Sequence, residues 1–207
     1  MRLLGKFSSI NVRKVAWTCA ELGIGYERED WGKGFASTET PEFLALNPNA
    51  QVPVVFTEDG VLWESNTICR YLTSKAGRTD LLPAEPWARA QVERWMDWQA
   101  TDLNMSWRYV FPALARGDPP VPDPAQIAET TAKWNRTMAI LDQRLAETGA
   151  YAAGEAFTLA DILLGLSANR WRRTPLAERP ELSAVAAYLA RLEQRAVVRE
   201  HGLFDVT

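Results

Sequence analysis

In the first 75 residues, segments with the apolar pattern of a β-strand alternate with segments whose apolar residues recur at the spacing of one helix face. Arg2–Leu4 can start a strand, and Ser9 to Asn11 can cap a helix that runs to about residue 22. Along that helix apolar residues recur at the i, i+3, i+4 and i+7 spacing of one helix face. They are Val12, Val15, Ala16 and Cys19. Glycines at positions 23 and 25 then indicate its C-terminal end.

The same segment continues with two strands in a hairpin and a closing helix. Residues 26–31 read as a strand, and Pro41 stands where proline favours the first turn of a short helix. Apolar runs at 54–56 and 61–63 flank Asp59-Gly60, a pair that tolerates the positive φ of a hairpin turn. A helix follows from Glu64 to about residue 74. This order predicts a small α/β domain over residues 1–77.

After the linker at residues 78–86 the sequence shows no further strand patterns. Long segments with apolar residues at helical spacing follow instead. The first stripe contains Val92, Trp95, Met96 and Leu103, and only Gln99 interrupts its apolar face. Further stripes follow at 127–145 and 182–192. Thr158 and Asp161 fit a capping pattern before an apolar segment that we expect to be buried. Residues 87–207 are therefore predicted to form an all-α domain.

Composition narrows the classes of function. Hydrophobic residues make up 47% of the chain and charged residues 24%, which is typical of a soluble globular protein. With a net charge of -3, the chain lacks the excess of basic residues that is typical of nucleic-acid-binding proteins. No apolar run reaches the roughly 18 residues of a membrane span, and the N-terminal apolar segment is too short for a signal peptide. The two cysteines show no metal spacing, so we expect a cytoplasmic protein without a metal or a membrane partner.

One pair of features predicts a site for a peptide-like anion. Pro53 must begin its strand, because proline cannot donate to the sheet ladder. A cis Val52–Pro53 bond would also leave the Val52 backbone N–H and C=O free for a ligand. Ser65 stands at a helix N-terminus, where unpaired N–H groups and a partial positive charge favour an anion. A peptide carboxylate would fit between the two.

Four ordered stretches, at residues 8–15, 43–53, 63–72 and 157–162, carry a family resemblance. With SSINVRKV, FLALNPNAQVP, WESNTICRYL and FTLADI, the chain resembles the cytosolic glutathione transferases over nearly its whole length. It is most similar to proteobacterial members whose first loop carries Ser/Thr-x-Asn. The resemblance implies a thioredoxin-like N-terminal domain, an all-α C-terminal domain and a homodimer. It also implies glutathione as a substrate, with a small electrophile as the second.

The proline at the strand start and this resemblance together predict a cis Val52–Pro53 bond. By the resemblance, Val52 and Pro53 would bind the cysteinyl part of glutathione by strand addition. Ser65 would hold the γ-glutamyl carboxylate, and Glu64 would hold the amine. Lys33 could meet the glycine carboxylate or remain a solvated lysine. These residues form the predicted glutathione-binding set.

The first loop is the predicted place of thiol activation. Lowering a thiol pKa from about 8.5 to roughly 6.5 requires about 2.7 kcal/mol of preferential thiolate stabilisation. A helix N-terminus supplies about 0.3–2 kcal/mol, and one hydrogen bond to a charged group about 1.5–3 kcal/mol. A side-chain donor is therefore needed as well, and Ser8, Ser9 and Asn11 are the candidates. The alternative for Ser9 or Asn11 is a helix cap without a catalytic role.

Aromatic residues near the long helix are candidates for the electrophile pocket. They are Trp107 and Phe111, with Arg108 available to attract an anionic electrophile. Packing between the two domains is the alternative for the aromatic residues. Arg13 and Lys14 are expected to be surface charges on the first helix, unless Arg13 braces the domain interface.

Three functions fit the sequence. The first is thiol transfer to a small electrophile. The second is glutathione-dependent disulfide reduction without an enzyme cysteine, since the first loop has none. The third is a non-catalytic glutathione-binding protein.

Overall fold

Four short strands form a mixed sheet in the N-terminal domain of the computed structural model, which describes residues 1–204. The strands are β1 (Arg2–Leu4), β2 (Glu27–Glu29), β3 (Val54–Thr57) and β4 (Gly60–Trp63). Their order in the sheet is β2-β1-β3-β4. The β1–β2 pair is parallel, and the β1–β3 and β3–β4 pairs are antiparallel. The predicted hairpin is confirmed.

Helices cover both faces of this sheet. They are α1 (Ile10–Leu22), α2 (Pro41–Leu46) and α3 (Ser65–Lys75). Successive strand residues point to opposite faces, so Leu3 and Val55 join the main core while Leu4 and Val54 pack with Phe43 of α2. The domain is thioredoxin-like, as predicted.

The helical domain contains seven α-helices within the described part of the chain. They are α4 (Pro86–Trp98), α5 (Asn104–Trp107), α6 (Val110–Arg116), α7 (Pro124–Thr148), α8 (Leu159–Arg173), α9 (Ser183–Glu193) and α10 (Ala196–Glu200). A π-helical turn, Gln99–Leu103, joins α4 to α5. The predicted apolar stripe therefore continues through residue 103, but the backbone hydrogen bonding changes at Gln99. Such turns occur frequently at functional sites.

Helix α8 lies at the centre of the helical domain. Every residue from Leu159 to Trp171 is buried. The carboxylate of Asp161 accepts hydrogen bonds from the Thr158 N–H at 2.8 Å and the Ala152 N–H at 3.1 Å. The predicted cap and the predicted burial of this helix are both confirmed.

Helix α1 joins the two domains, because it packs against both α3 and α8. Both of its basic residues are consequently buried, with Arg13 and Lys14 each 1% exposed. Arg13 Nη1 donates to the Leu203 carbonyl at 2.9 Å, which fits its alternative role as a brace. The prediction that Lys14 is a surface charge is wrong, since helices cover α1 on both sides.

Among residues 1–204, none of the helices combines the length and the apolar character that a membrane span requires. Nor does this part of the chain bring three or more His, Cys, Asp or Glu side chains together as metal ligands.

Candidate active site

A cavity of about 570 Å³ opens where the two domains meet. Its floor combines the N-terminus of α3 with the loop before β3, and the π-helical turn and α5 form the opposite side. Its volume lies in the usual range of about 300–1,000 Å³ for small-molecule sites. Six of the predicted site residues line it: Asn11, Val52, Pro53, Glu64, Ser65 and Arg108.

The loop before β3 presents an unpaired stretch of backbone to this cavity. The Val52–Pro53 peptide is cis, which confirms the prediction. Among the described residues, neither the N–H nor the C=O of Val52 bonds another backbone group. Buried Asn47 stabilises the loop, because its Nδ2 donates to the Gln51 carbonyl at 2.8 Å. The Val52 backbone is therefore available to a ligand that adds like a strand.

Gly5 allows the first loop to approach Val52. A Cβ at this position would lie 2.4 Å from Val12 Cγ2 and 2.9 Å from Val52 Cβ, and its φ of 142° also favours glycine. No local pattern in the sequence identifies this contact, since its partners lie 7 and 47 residues further along the chain.

The N-terminus of α3 forms one end of the cavity, and a helix N-terminus favours an anion. Ser65 is its first residue and is buried, while Glu64 precedes it with φ 73° and ψ 104°. A non-glycine residue at positive φ costs about 1–3 kcal/mol, and such residues cluster at functional sites. Val52, Glu64 and Ser65 together form what we call the N-terminal wall.

The candidates of the first loop occupy different positions. Asn11 lines the cavity from the first turn of α1, and Ser8 is exposed. Ser9 is the N-cap residue of α1, but its side chain accepts no capping hydrogen bond from the helix. The Ser9 hydroxyl is therefore not engaged as a helix cap. Which of the three contacts a thiolate stays a prediction.

The opposite side of the cavity is polar. Asp97, Asn104 and Arg108 line it, and we call these residues the helical wall. Asp97 pairs with Arg70 of α3, whose Nε also lies 3.3 Å from Glu93 Oε1. These ion pairs join α3 to α4 beside the cavity mouth.

A buried polar cluster below the cavity was missed by sequence reasoning. Lys14 Nζ donates to Gln99 Oε1 at 2.8 Å and to Asn66 Oδ1 at 3.1 Å. Gln99 Nε2 then donates to Ser167 Oγ at 2.9 Å and to Asn104 Oδ1 at 3.0 Å. Gln99 is fully buried. A polar residue in an otherwise apolar helix face was the one sequence feature that could have indicated this cluster. Burial lowers the pKa of the Lys14 ammonium to about 7.

Trp107 and Phe111 lie behind the helical wall and do not line the cavity. Their rings meet edge to face at 5.5 Å, and the Arg170 guanidinium lies 4.6 Å and 4.2 Å from the two ring centroids. Phe111 and Arg170 are buried, and burial lowers the pKa of Arg170 well below its usual value. These contacts place the two aromatic residues in the core of the helical domain, and their part in an electrophile pocket stays a prediction.

Lys33 and the two cysteines lie away from the cavity lining. Lys33 is exposed, and its carbonyl accepts a hydrogen bond from Lys6 Nζ at 2.7 Å. Cys19 and Cys69 are buried and free. Burial raises the pKa of the Cys19 thiol to about 12 and that of Cys69 to about 11, so both thiols are inert at neutral pH.

Comparison with known proteins agrees with this geometry. The glutathione S-transferase N-terminal domain profile matches residues 1–74, and the C-terminal domain profile matches residues 109–196. The chain is 35% identical to glutathione S-transferase GstB of Escherichia coli K12 over 78% of each chain. It is 33% identical to glutathione S-transferase 3 of Zea mays, covering 89% of this chain and 86% of that protein.

A solved structure of similar fold contains a ligand. It is the theta class glutathione S-transferase from the citrus canker pathogen Xanthomonas axonopodis pv. citri with glutathione bound. The TM-score is 0.89 at 36% identity, over 96% of this chain and 95% of that one. On both domain profiles and on these relatives, the chain belongs to the glutathione S-transferase family of enzymes.

Proposed function

We propose that the protein activates the thiol of glutathione and adds it to a small electrophile. One observation carries the proposal: the free backbone edge of Val52 and the N-terminus of α3 open into the same cavity. A γ-glutamyl peptide has a carboxylate for the helix end and a peptide unit for the backbone edge. The glutathione-bound relative supports the choice of this peptide.

Each residue of the N-terminal wall binds a different part of the tripeptide. Ser65 and the first N–H groups of α3 bind the γ-glutamyl carboxylate, because a helix N-terminus stabilises negative charge. Glu64 binds the adjacent amine, and Val52 pairs with the cysteinyl backbone after the turn at Pro53. Lys33 is the candidate for the glycine carboxylate.

The first loop lowers the pKa of the bound thiol. Asn11 has an amide donor at the cavity, and Ser9 has a hydroxyl that α1 does not use. Ser8 is the third candidate and would need the loop to shift by one residue. The thiol proton passes to solvent, and the thiolate attacks an electrophilic atom. Either the bond to a leaving group then breaks, or a double bond accepts the thiolate and a proton from solvent.

The electrophile meets the helical wall. Arg108 gives this wall a positive charge that would attract an anionic electrophile. Trp107 and Phe111 support the wall from behind and fix the position of α5 and α6.

Disulfide reduction is the second candidate function. Both cysteines are buried with raised pKa values, so a reductase of this design would use two glutathione thiols in turn. A non-catalytic glutathione-binding role is the third.

The cellular setting is proposed with the same reasoning. We assign residues 1–77 to the glutathione-binding domain, 78–86 to the linker and 87–207 to the helical domain, of which residues 205–207 lie outside the described part of the chain. The working form is a cytoplasmic homodimer, and detoxification of electrophiles is its role.

Calorimetry and two parallel assays test this function. Binding at millimolar glutathione, with turnover of a halogenated aromatic electrophile, supports the proposal. Turnover of a small mixed disulfide alone selects the reductase, and binding without either activity selects the non-catalytic role. An absence of glutathione binding would contradict all three.

A further inference from the structure

Lys14 is a buried cation directly beneath the candidate active site. Its side chain is on α1, is 1% exposed and reaches the cavity lining between α3 and the π-helical turn. Its two acceptors belong to different domains: Asn66 on α3 and Gln99 in the π-helical turn. Lys14, Asn66 and Ser65 line the same cavity, so the ammonium faces the space proposed for the carboxylate.

The ammonium lacks a strong counter-charge. Both acceptors are neutral amides, and within residues 1–204 no carboxylate forms an ion pair with Lys14. The charged or titratable groups that act on it are Cys69 of α3, Arg170 of α8 and Glu64 before α3. Burial is the largest influence and opposes the charge, Cys69 and Glu64 favour it, and Arg170 opposes it. A buried charge of this kind is costly until an anion approaches.

We propose that Lys14 is a positioning residue of the glutathione subsite: its ammonium ties α3 to the helical domain and is stabilised by the anionic ligand. This inference rests on the proposed function, because the anion is the γ-glutamyl carboxylate of glutathione. The bonds to Asn66 and Gln99 then hold the two sides of the cavity at a fixed separation when the ligand is bound.

A proton linkage follows from this arrangement. With a pKa of about 7, Lys14 is largely neutral at pH 8 in the free protein. An opposite charge nearby raises the pKa of an ammonium, so ligand binding at pH 8 should take up part of a proton. Stabilisation by the ligand raises the pKa in the complex, so affinity is highest below pH 7 and falls as the pH rises towards 9.

The probe is S-methylglutathione, which has the carboxylates of glutathione and no ionisable thiol. Its binding enthalpy is measured at pH 8 in two buffers with different ionisation enthalpies, phosphate and Tris, and the difference gives the number of protons taken up. Proton release from an activated thiol cannot interfere.

Two substitutions remove the ammonium, and one serves as a matched control. Lys14→Met and Lys14→Gln should bind with a weaker pH dependence and take up fewer protons than the wild type, with the remaining uptake due to the ligand amine beside Glu64. Lys133→Met, on an exposed position of α7, should keep the wild-type uptake. Circular dichroism and thermal unfolding establish that each variant is folded. If both Lys14 variants fail to fold, a wild type that binds without any proton uptake still overturns the inference.

The outcomes separate this inference from the proposed function. Binding of S-methylglutathione with uptake that depends on Lys14 supports the inference. Binding by the wild type without uptake, or uptake unchanged in a folded Lys14 variant, overturns the inference and leaves the proposed function intact. A wild type that binds neither S-methylglutathione nor glutathione overturns both.

Discussion

The two walls of the cavity are built on different principles. The N-terminal wall (Val52, Glu64, Ser65) consists of backbone groups and a helix terminus, placed by short local motifs in a loop and a helix start. The helical wall (Asp97, Asn104, Arg108) consists of side chains on α4, on α5 and directly after it, around a change in helix type at Gln99. A ligand that must be bound in one fixed way suits the first wall. A partner that varies suits the second, where a side chain can change without disturbing the backbone.

The largest expected effect is the loss of glutathione affinity when the N-terminal wall is changed. Ser65→Ala removes a buried donor to a carboxylate and should weaken binding by about 1–3 kcal/mol. Ser74→Ala, at an exposed position near the end of the same helix, is the matched control and should leave the affinity unchanged. Calorimetric titration of both variants with glutathione measures the difference. Equal affinities in the two would mean that the carboxylate binds elsewhere.

The next effect concerns the first loop, which lies between the two walls. If Asn11 or Ser9 donates to the thiolate, substitution by Ala should raise the pKa of the bound thiol by roughly 1–2 units, the equivalent of one charged hydrogen bond. Turnover at pH 6.5 should then fall more than turnover at pH 9, where the thiol ionises unaided. Ultraviolet titration of the bound thiolate measures the shift.

Ser8→Ala completes this series as the exposed member of the loop. An unshifted titration in all three variants would leave the α1 N-terminus and backbone N–H groups as the activators. Because the Ser9 side chain makes no capping bond, its substitution should cost little folding stability, so the titration decides its role.

The smallest effect is expected at the helical wall. Arg108→Ala should raise the KM for an anionic electrophile by about 1.4-fold to fivefold, because exposed charge interactions contribute about 0.2–1 kcal/mol. The KM for an uncharged electrophile and the affinity for glutathione should stay the same. Steady-state kinetics with a matched pair of charged and neutral substrates measures this. A comparable change in glutathione affinity would show that the two walls do not act separately.

The contrast between the walls also explains what the sequence could predict. Pro53 at a strand start and Ser65 at a helix start act through their immediate neighbours, so their positions follow from local rules. The cap made by Thr158 and Asp161 was predicted for the same reason. These signals also identify the two-domain architecture, because strand and helix periodicities change sharply after residue 77.

The rest depends on contacts between distant segments. Lys14 reads as a surface charge on its own helix, and its burial follows only from the docking of α3 on one side and α8 on the other. Phe111 is an aromatic residue of the kind that lines binding pockets, but it packs on Arg170, 59 positions away in the chain. Local periodicity contains no information on such pairs.

A structure of the crystallised protein soaked with glutathione tests the central claim most directly. We expect the γ-glutamyl carboxylate within hydrogen-bond distance of Ser65 Oγ and of the first N–H groups of α3. The cysteinyl backbone should pair with Val52, and the sulfur should face Asn11 or Ser9. Glutathione bound outside this cavity, or with its γ-glutamyl end turned towards Arg108, would contradict the account.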